Sequence, residues 1–132
     1  MGVALTQLCK DILEKKAFAH LATIMADGSP QVTPVWCEHD GTHVIINAEL
    51  GRVKDRNMRH NPHVALSCQD PENAYQCCFI RGRVVDMTEE GAEDHINKLA
   101  KKYLGLDKYP NPISTARVIY KIEPLHISGM PQ

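Results

Sequence analysis

The chain has 132 residues, with 15 basic and 16 acidic side chains, a formal net charge of −1 and 5% aromatic residues. This length suits one domain with a sizeable core, so we predict a single domain over residues 1–132. A near-neutral charge with few aromatics disfavours a nucleic-acid-binding surface. No apolar run approaches the roughly 18 residues of a membrane span, and the N-terminus lacks a basic-then-apolar leader pattern. These features predict a cytoplasmic protein without membrane or nucleic-acid partners.

The first 50 residues predict a helix followed by three strands. Apolar residues with helical spacing over 5–13 indicate a short amphipathic helix. The runs Ala19–Met25, Gln31–Glu38 and Thr42–Asn47 read as strands joined by glycine-containing turns, which together predict an antiparallel meander. Pro34 lies inside the second run and cannot donate a backbone hydrogen bond. It therefore predicts an edge strand, a bulge or a neighbour that is not a strand.

The segment Arg52–His60 holds four of the positive charges and one negative charge, and it follows an apolar strand. Without it the chain has 11 basic and 15 acidic residues (15 − 4 and 16 − 1), so the positive charge is local. A helix that begins after a strand end is a favourable place for a phosphate group. We therefore predict a helix here that binds one phosphorylated ligand. Its two faces would be Lys54, Asn57 and Met58 on one side, and Arg52, Arg56, Arg59 and His60 on the other.

The second half predicts three further strands, over Val64–Ser67, Gln76–Met87 and Arg117–Ser128. Gly82 is expected to kink the long middle strand. Six mostly antiparallel strands in so short a chain would close into a small barrel, since closure removes exposed edges. The predicted fold class is mainly β (α+β), a six-stranded antiparallel barrel with flanking helices. Few side chains remain to line an internal pocket, so we expect the ligand site in an outer groove or between two copies.

A helix is predicted between the last two strands, with Thr88 as its N-cap and Glu89 and Glu90 in its first turn. Gly105 is expected to end it, because glycine readily takes the left-handed conformation that closes many helices. Trp36, the only tryptophan, is expected to pack in the core or at a dimer contact rather than to stack on a ligand.

Cysteine and histidine patterns predict no cross-link and no metal site. Five cysteines cannot all pair and none forms a C-x-x-C, so reduced thiols are expected. Cys77 and Cys78 would point to opposite faces of a strand, which argues against a structural disulfide there and leaves Cys77 an inert thiol. None of the seven histidines lies in an H-E-x-x-H motif or beside a cysteine pair at ligand spacing.

Several segments together resemble the flavin/deazaflavin oxidoreductases of the split β-barrel fold, the superfamily of pyridoxamine-phosphate oxidase. Within it the chain is most similar to the small enzymes that use coenzyme F420. The similarity extends over residues 3–128, and it depends on the order and spacing of several motifs rather than on one. The segments that carry it are His20–Thr23, Asp27–Trp36, Gly51–Asn57, Asn61–Ser67 and Ile80–Val84.

The resemblance implies a homodimer with two equivalent cofactor sites at the subunit interface. The cofactor ring would lie against the second strand, and the phosphate would meet the basic segment, with Arg56 reaching the same anion or the tail of a longer cofactor. The implied cofactor-binding residues are Val32, Thr33, Pro34 and Val35, with Asn47 and Ala48, for the ring; Arg52, Lys54, Arg56 and Asn57 for the anion; and Gln76 and Cys77 from the partner chain.

The resemblance also implies the reaction, a hydride transfer between F420 and a small unsaturated or quinone-like organic substrate. In such enzymes the cofactor carries the chemistry, so no catalytic side chains are expected. F420 is favoured by the likeness to its branch and by more cations than one phosphate requires. FMN, the alternative, is favoured by Glu49 beside the basic segment and by its wide use in the superfamily. A non-catalytic carrier of flavin or haem is a further alternative.

Overall fold

The computed structural model describes residues 2–131, which form three helices and seven strands. No helix in this part of the chain is long and apolar enough to cross a membrane. In chain order the elements are α1 (Gln7–Glu14), β1 (Ala19–Ile24), β2 (Pro30–Val35), β3 (Cys37–His39), β4 (Val44–Glu49), α2 (Val53–His60), β5 (His63–Asp70), β6 (Asn73–Thr88), α3 (Ala92–Leu104) and β7 (Arg117–Met130).

All seven strands belong to one antiparallel sheet with the order β2-β1-β5-β6-β7-β4-β3. The sheet curves far enough that β2, at one edge, contacts β4 near the other edge. Its concave side and α1 enclose the main core, in which Leu13, Ile46 and Tyr120 are completely buried. The predicted antiparallel split barrel with flanking helices is therefore confirmed.

The barrel has seven strands where six were predicted, because the predicted strand Gln31–Glu38 is two strands. β2 pairs with β1 and β3 pairs with β4, at opposite edges of the sheet. The break falls at Trp36. Immediately after it, the Cys37 N–H donates to the Tyr103 hydroxyl of α3 at 3.0 Å. The chain thus changes edges here and does not form a meander, while Pro34 does lie on an edge strand as predicted.

A disulfide joins Cys9 of α1 to Cys78 of β6, so the prediction that all thiols are reduced is wrong. Because Cys77 and Cys78 point to opposite faces of the strand, they cannot bond to each other, but either can bond to a cysteine elsewhere. Helix α1 packs on the core face of the strand, and Cys78 is buried there against Cys9. The other three cysteines, Cys37, Cys68 and Cys77, are buried free thiols.

Helix α3 begins three residues later than predicted. Its N-cap is Gly91, with a φ of 75°, and the acidic residues of its first turn are Glu93 and Asp94. Thr88 instead accepts a hydrogen bond from the Glu90 N–H at 3.2 Å in the preceding turn. The predicted C-terminal end is confirmed, because Gly105 closes the helix with a φ of 73°.

Gly82 lies at a register shift between β6 and β7, where the predicted kink occurs. A Cβ atom at this position would be 2.6 Å from the Glu123 carbonyl oxygen and 2.8 Å from Ile122 Cγ2. We expect Gly82→Ala to lower the free energy of unfolding by about 1–3 kcal/mol, since backbone must shift to admit the methyl group. Urea denaturation measures this, with the exposed neighbour Arg83→Ala as control. Equal midpoints for both variants would contradict the expectation.

Candidate functional site

Helix α2 is fixed on the barrel by three buried side chains. Met58 is completely buried in the main core. The buried Asp55 carboxylate accepts a hydrogen bond from the Tyr120 hydroxyl on β7, and burial is the main cause that raises the pKa of Tyr120. The Asn57 amide donates to the Thr23 hydroxyl of β1 at 3.0 Å. Because these contacts come from both sides of the barrel, they determine which way the other side chains of α2 face.

The two faces predicted for this helix are confirmed except at Arg52, which is the N-cap and lies on the same side as Lys54. Arg56, Arg59 and His60 are exposed, whereas Lys54 is half-buried. Asp55 also accepts from the Gly51 N–H at 2.9 Å, which holds the turn before α2. As a result Lys54 and the N-cap residue Arg52 both face a groove beside the helix.

This groove, called the basic groove below, lies on the outside of the barrel between β2, β4, β7 and α3 and has a volume of about 370 Å³. Its size falls within the range of small-molecule sites. Its lining is partly polar and partly apolar and aromatic. The polar lining consists of Asn47, Glu49, Arg52, Lys54, Asn111 and Arg117; the apolar lining consists of Phe18, Pro34, Val35, Trp36, Ala48, Ile96, Leu104, Tyr109 and Pro110.

Two cations in the basic groove have no ion-pair partner within residues 2–131, namely Lys54 and Arg117. Burial is the main cause that lowers the pKa of Lys54, and the positive charges of Arg52 and Arg117 lower it further. Burial also lowers the pKa of Arg117. Half-buried charges of one sign without a counter-charge are costly in a folded protein. The arrangement favours a bound anion, which would relieve that repulsion.

The third cation, Arg52, is paired with the buried carboxylate of Glu49 at 3.0 Å. The other oxygen of Glu49 accepts from the Ser114 hydroxyl and from the Ser114 N–H at 3.0 Å. The hydrogen bonds from Ser114 and then from Arg52 are the main causes that lower the pKa of Glu49 to about 2. Glu49 is therefore ionised at neutral pH and offsets the charge of Arg52. Lys54 and Arg117 remain as the cations without an ion pair within residues 2–131, although the charge of Glu49 partly offsets the burial that lowers the pKa of Arg117.

Removing the Glu49 charge should strengthen anion binding. We expect Glu49→Gln to lower the Kd of an anionic ligand about two- to fivefold at low salt, because Arg52 would be released toward the groove. The glutamine oxygen can still accept from Ser114. Ligand titration at two salt concentrations measures the effect, with the exposed Glu90→Gln as matched control. The expectation is contradicted if the two variants bind alike at low salt.

The apolar part of the groove lining is built on aromatic side chains. Trp36 stacks on Tyr103 with ring centroids 5.1 Å apart and meets Tyr109 edge-on at 5.9 Å. Phe18 is stacked on Tyr103 and half exposed. Trp36 thus packs against α3, as predicted, and also lines the groove. A ligand with an anionic group and a flat apolar body would match the cationic and the aromatic parts of this lining.

Six of the twelve predicted site residues line the basic groove: Pro34, Val35, Asn47, Ala48, Arg52 and Lys54. The other six lie elsewhere, and their role stays a prediction. Asn57 is buried and its amide is engaged within the chain. The Thr33 hydroxyl is buried without a hydrogen-bond partner among the described residues. Val32 faces the outer side of the sheet, Arg56 is exposed, and Gln76 and Cys77 lie on β6.

Sequence reasoning missed Arg117, Tyr109 and Phe18. Arg117 comes 63 residues after Lys54 in the chain (117 − 54), and it reaches the site only because it is the strand partner of Glu49. No local motif marks such a pairing. Tyr109 lies in the segment between α3 and β7, and its position over Arg117, 5.1 Å from ring centroid to guanidinium, depends on how that segment folds back.

The sequence profile of the pyridoxamine 5'-phosphate oxidase family matches residues 5–130. The chain belongs to this family. The match confirms the resemblance seen in the motifs, and it makes the protein a member of the flavin-type oxidoreductases. No curated protein matches the chain.

Solved structures of the family's fold agree with this assignment. A protein named F420 reductase is 34% identical to the chain, with a TM-score of 0.82, and the match covers 90% of this chain and 94% of that one. HupZ from Group A Streptococcus (22% identity, TM-score 0.68, 96% and 94% covered) shares the fold. So does a FAD-binding protein from Mesorhizobium loti (20% identity, TM-score 0.67, 98% and 96% covered).

Proposed function

We propose that this protein is an oxidoreductase that transfers a hydride between coenzyme F420 and a small unsaturated or quinone-like organic substrate. The observation that carries the proposal is the pair of cations without an ion pair among residues 2–131, Lys54 and Arg117, in a groove partly lined by aromatic side chains. Family membership and the similarity to an F420 reductase support the choice of cofactor class. When bound, the deazaflavin supplies the hydride chemistry, and the protein supplies binding and orientation.

The side chains of the basic groove fit such a cofactor. Lys54 and Arg117 would bind its phosphate, and Arg52 would bind a further acidic group. Pro34, Val35 and Ala48 would cover the ring and exclude water from it. β2 is an edge strand, so backbone groups on its outer side lack a strand partner and are available to polar ring atoms. Such amides can stabilise negative charge that develops on a reduced ring.

FMN is the second candidate cofactor. Glu49 favours it, since a fixed negative charge beside Arg52 disfavours the extended acidic tail of F420. Against this, one phosphate needs fewer cations than the three that line the groove. We therefore place F420 first.

We also propose that the protein acts as a homodimer, with Gln76 and Cys77 of the partner completing each site. The convex side of the sheet supports this, because Val32 is 63% exposed there beside a shallow depression lined by Ala22, Ala65 and Phe79. Light scattering measures the oligomeric state. Val32→Asp is expected to yield monomers, and a wild-type protein that is monomeric at micromolar concentration would remove the dimer from the proposal.

The cofactor is tested by the visible spectrum and mass of any compound released from the purified protein, and by titration with F420 and with FMN. The proposal expects tighter binding of F420 and oxidation of its reduced form when a quinone or unsaturated ketone is added as the hydride acceptor. Tighter binding of FMN with turnover would support the second candidate. Binding without turnover of any substrate would indicate a carrier, and binding of neither cofactor would overturn the proposal.

A further inference from the structure

A polar network lies directly behind the cations of the basic groove, and its centre is the Asn47 carboxamide on β4. The Asn47 nitrogen donates to the Ala92 carbonyl at 2.9 Å and to His95 Nδ1 at 3.0 Å. The Asn47 oxygen accepts from Arg117 Nε at 2.7 Å. These three partners fix the orientation of the amide, since exchanging its oxygen and nitrogen would break every one of the bonds.

Both ring nitrogens of His95 have a hydrogen-bond partner. Glu38 on β3 contacts His95 Nε2 at 2.5 Å and Lys98 at 3.0 Å. The hydrogen bond from His95 and then that from Lys98 lower the pKa of Glu38 to about 2, so Glu38 is ionised and accepts a hydrogen bond from Nε2–H. The Asn47 amide donates to Nδ1, which must therefore carry a lone pair. The contacts select the neutral imidazole with its proton on Nε2.

We propose that His95 is a positioning residue for the anion site: held by Glu38, its neutral ring orients Asn47, and Asn47 holds Arg117 at the basic groove. The inference rests on the proposed function, because it concerns the same anion site. Arg117 itself lines the groove and has no carboxylate partner among the described residues. Its guanidinium is held there by Asn47 and by the face of Tyr109.

The network predicts how anion binding responds to acid. A protonated imidazole would present an N–H to the Asn47 amide nitrogen, which is also a donor. The carboxamide would then rotate and turn its nitrogen toward Arg117, so that Arg117 would lose its acceptor. The charged groups that meet this network are Glu38 on β3, Lys98 on α3 and Arg117 on β7. Anion binding should therefore weaken as His95 becomes protonated.

The test compares the Kd of F420 and of FMN for wild type and His95→Gln between pH 8 and pH 5.5. Glutamine can donate to Glu38 but does not titrate in this range. The ratio of the wild-type Kd to the variant Kd is expected to rise about fivefold or more on acidification. Titration of the cofactor itself cancels in this ratio. His39→Gln is the matched control, because His39 contacts Glu14 through Nε2 at 2.7 Å but does not line the groove.

A ratio that stays constant, or that falls because the imidazolium charge attracts the anion, would overturn the inference. A second measurement needs neither the variant nor the cofactor. In a pH titration of the unliganded wild type followed by NMR, the signals of the Asn47 side-chain amide and of Arg117 Nε–H are expected to shift with the same pH midpoint as the signals of the His95 ring. Different pH midpoints for the His95 signals and for the Asn47 and Arg117 signals would overturn the inference. Failure of both cofactors to bind at any pH would instead contradict the proposed function. The NMR spectrum would still test whether His95, Asn47 and Arg117 are coupled.

Discussion

Lys54→Ala is expected to raise the Kd of the bound cofactor at least about tenfold. A charge-assisted hydrogen bond is worth about 1.5–3 kcal/mol, and Lys54 has no ion-pair partner within residues 2–131 that could share its charge. The stability of the unliganded protein should not fall, because removing Lys54 relieves its repulsion with Arg52 and Arg117. Fluorescence titration and thermal unfolding of the same preparation measure both effects.

The matched control is Lys101→Ala, which removes an exposed lysine of α3 paired with Asp107 outside the basic groove. It should leave cofactor affinity unchanged. Lys54→Arg keeps the charge and should recover most of the affinity. If Lys54→Ala binds as tightly as wild type, Lys54 does not contact the anion and the assignment of the basic groove fails.

Reduction of the Cys9–Cys78 disulfide is expected to lower the free energy of unfolding by about 2–4 kcal/mol. The bond spans 69 residues of sequence, so it removes much conformational freedom from the unfolded chain. It also ties α1 to β6 over the main core. Urea denaturation with and without dithiothreitol measures the loss.

The double variant Cys9→Ser/Cys78→Ser is the control, because dithiothreitol should not destabilise it further. Thiol counting gives a second readout. The unreduced, denatured protein should show three reactive thiols, from Cys37, Cys68 and Cys77, and five after reduction. Five thiols before reduction would show that the cross-link is absent.

Features that depend on neighbouring residues could be predicted from the sequence. Helix α2 and the end of α3 at Gly105 follow from side-chain spacing and from the conformational freedom of glycine. Pro34 marked an edge strand because it lacks a backbone donor. Half of the predicted cofactor residues line one groove because they lie on β2, on β4 and at the start of α2, which the family motifs already placed in order.

Features that depend on distant residues could not be predicted in this way. The sequence predicts one continuous strand across Trp36. In the structure the strand pairing changes there, and the Cys37 N–H donates to the hydroxyl of Tyr103, which is 66 residues away in the chain. The disulfide partner of Cys78 could not be predicted for the same reason, since no local sequence feature places α1 on the face of the sheet to which Cys78 points.

The sequence by itself predicted the family through the resemblance of several motifs, and it predicted the antiparallel barrel and the cationic segment at Arg52–His60 through local pattern and composition. Only the tertiary structure decided which charges act together. Strand pairing brings Arg117 beside Glu49, and α3 brings His95 to Asn47. The strength of an ionic site depends on the distances between its charges and on their burial. The folded structure determines both, and the order of the residues in the sequence does not reveal them.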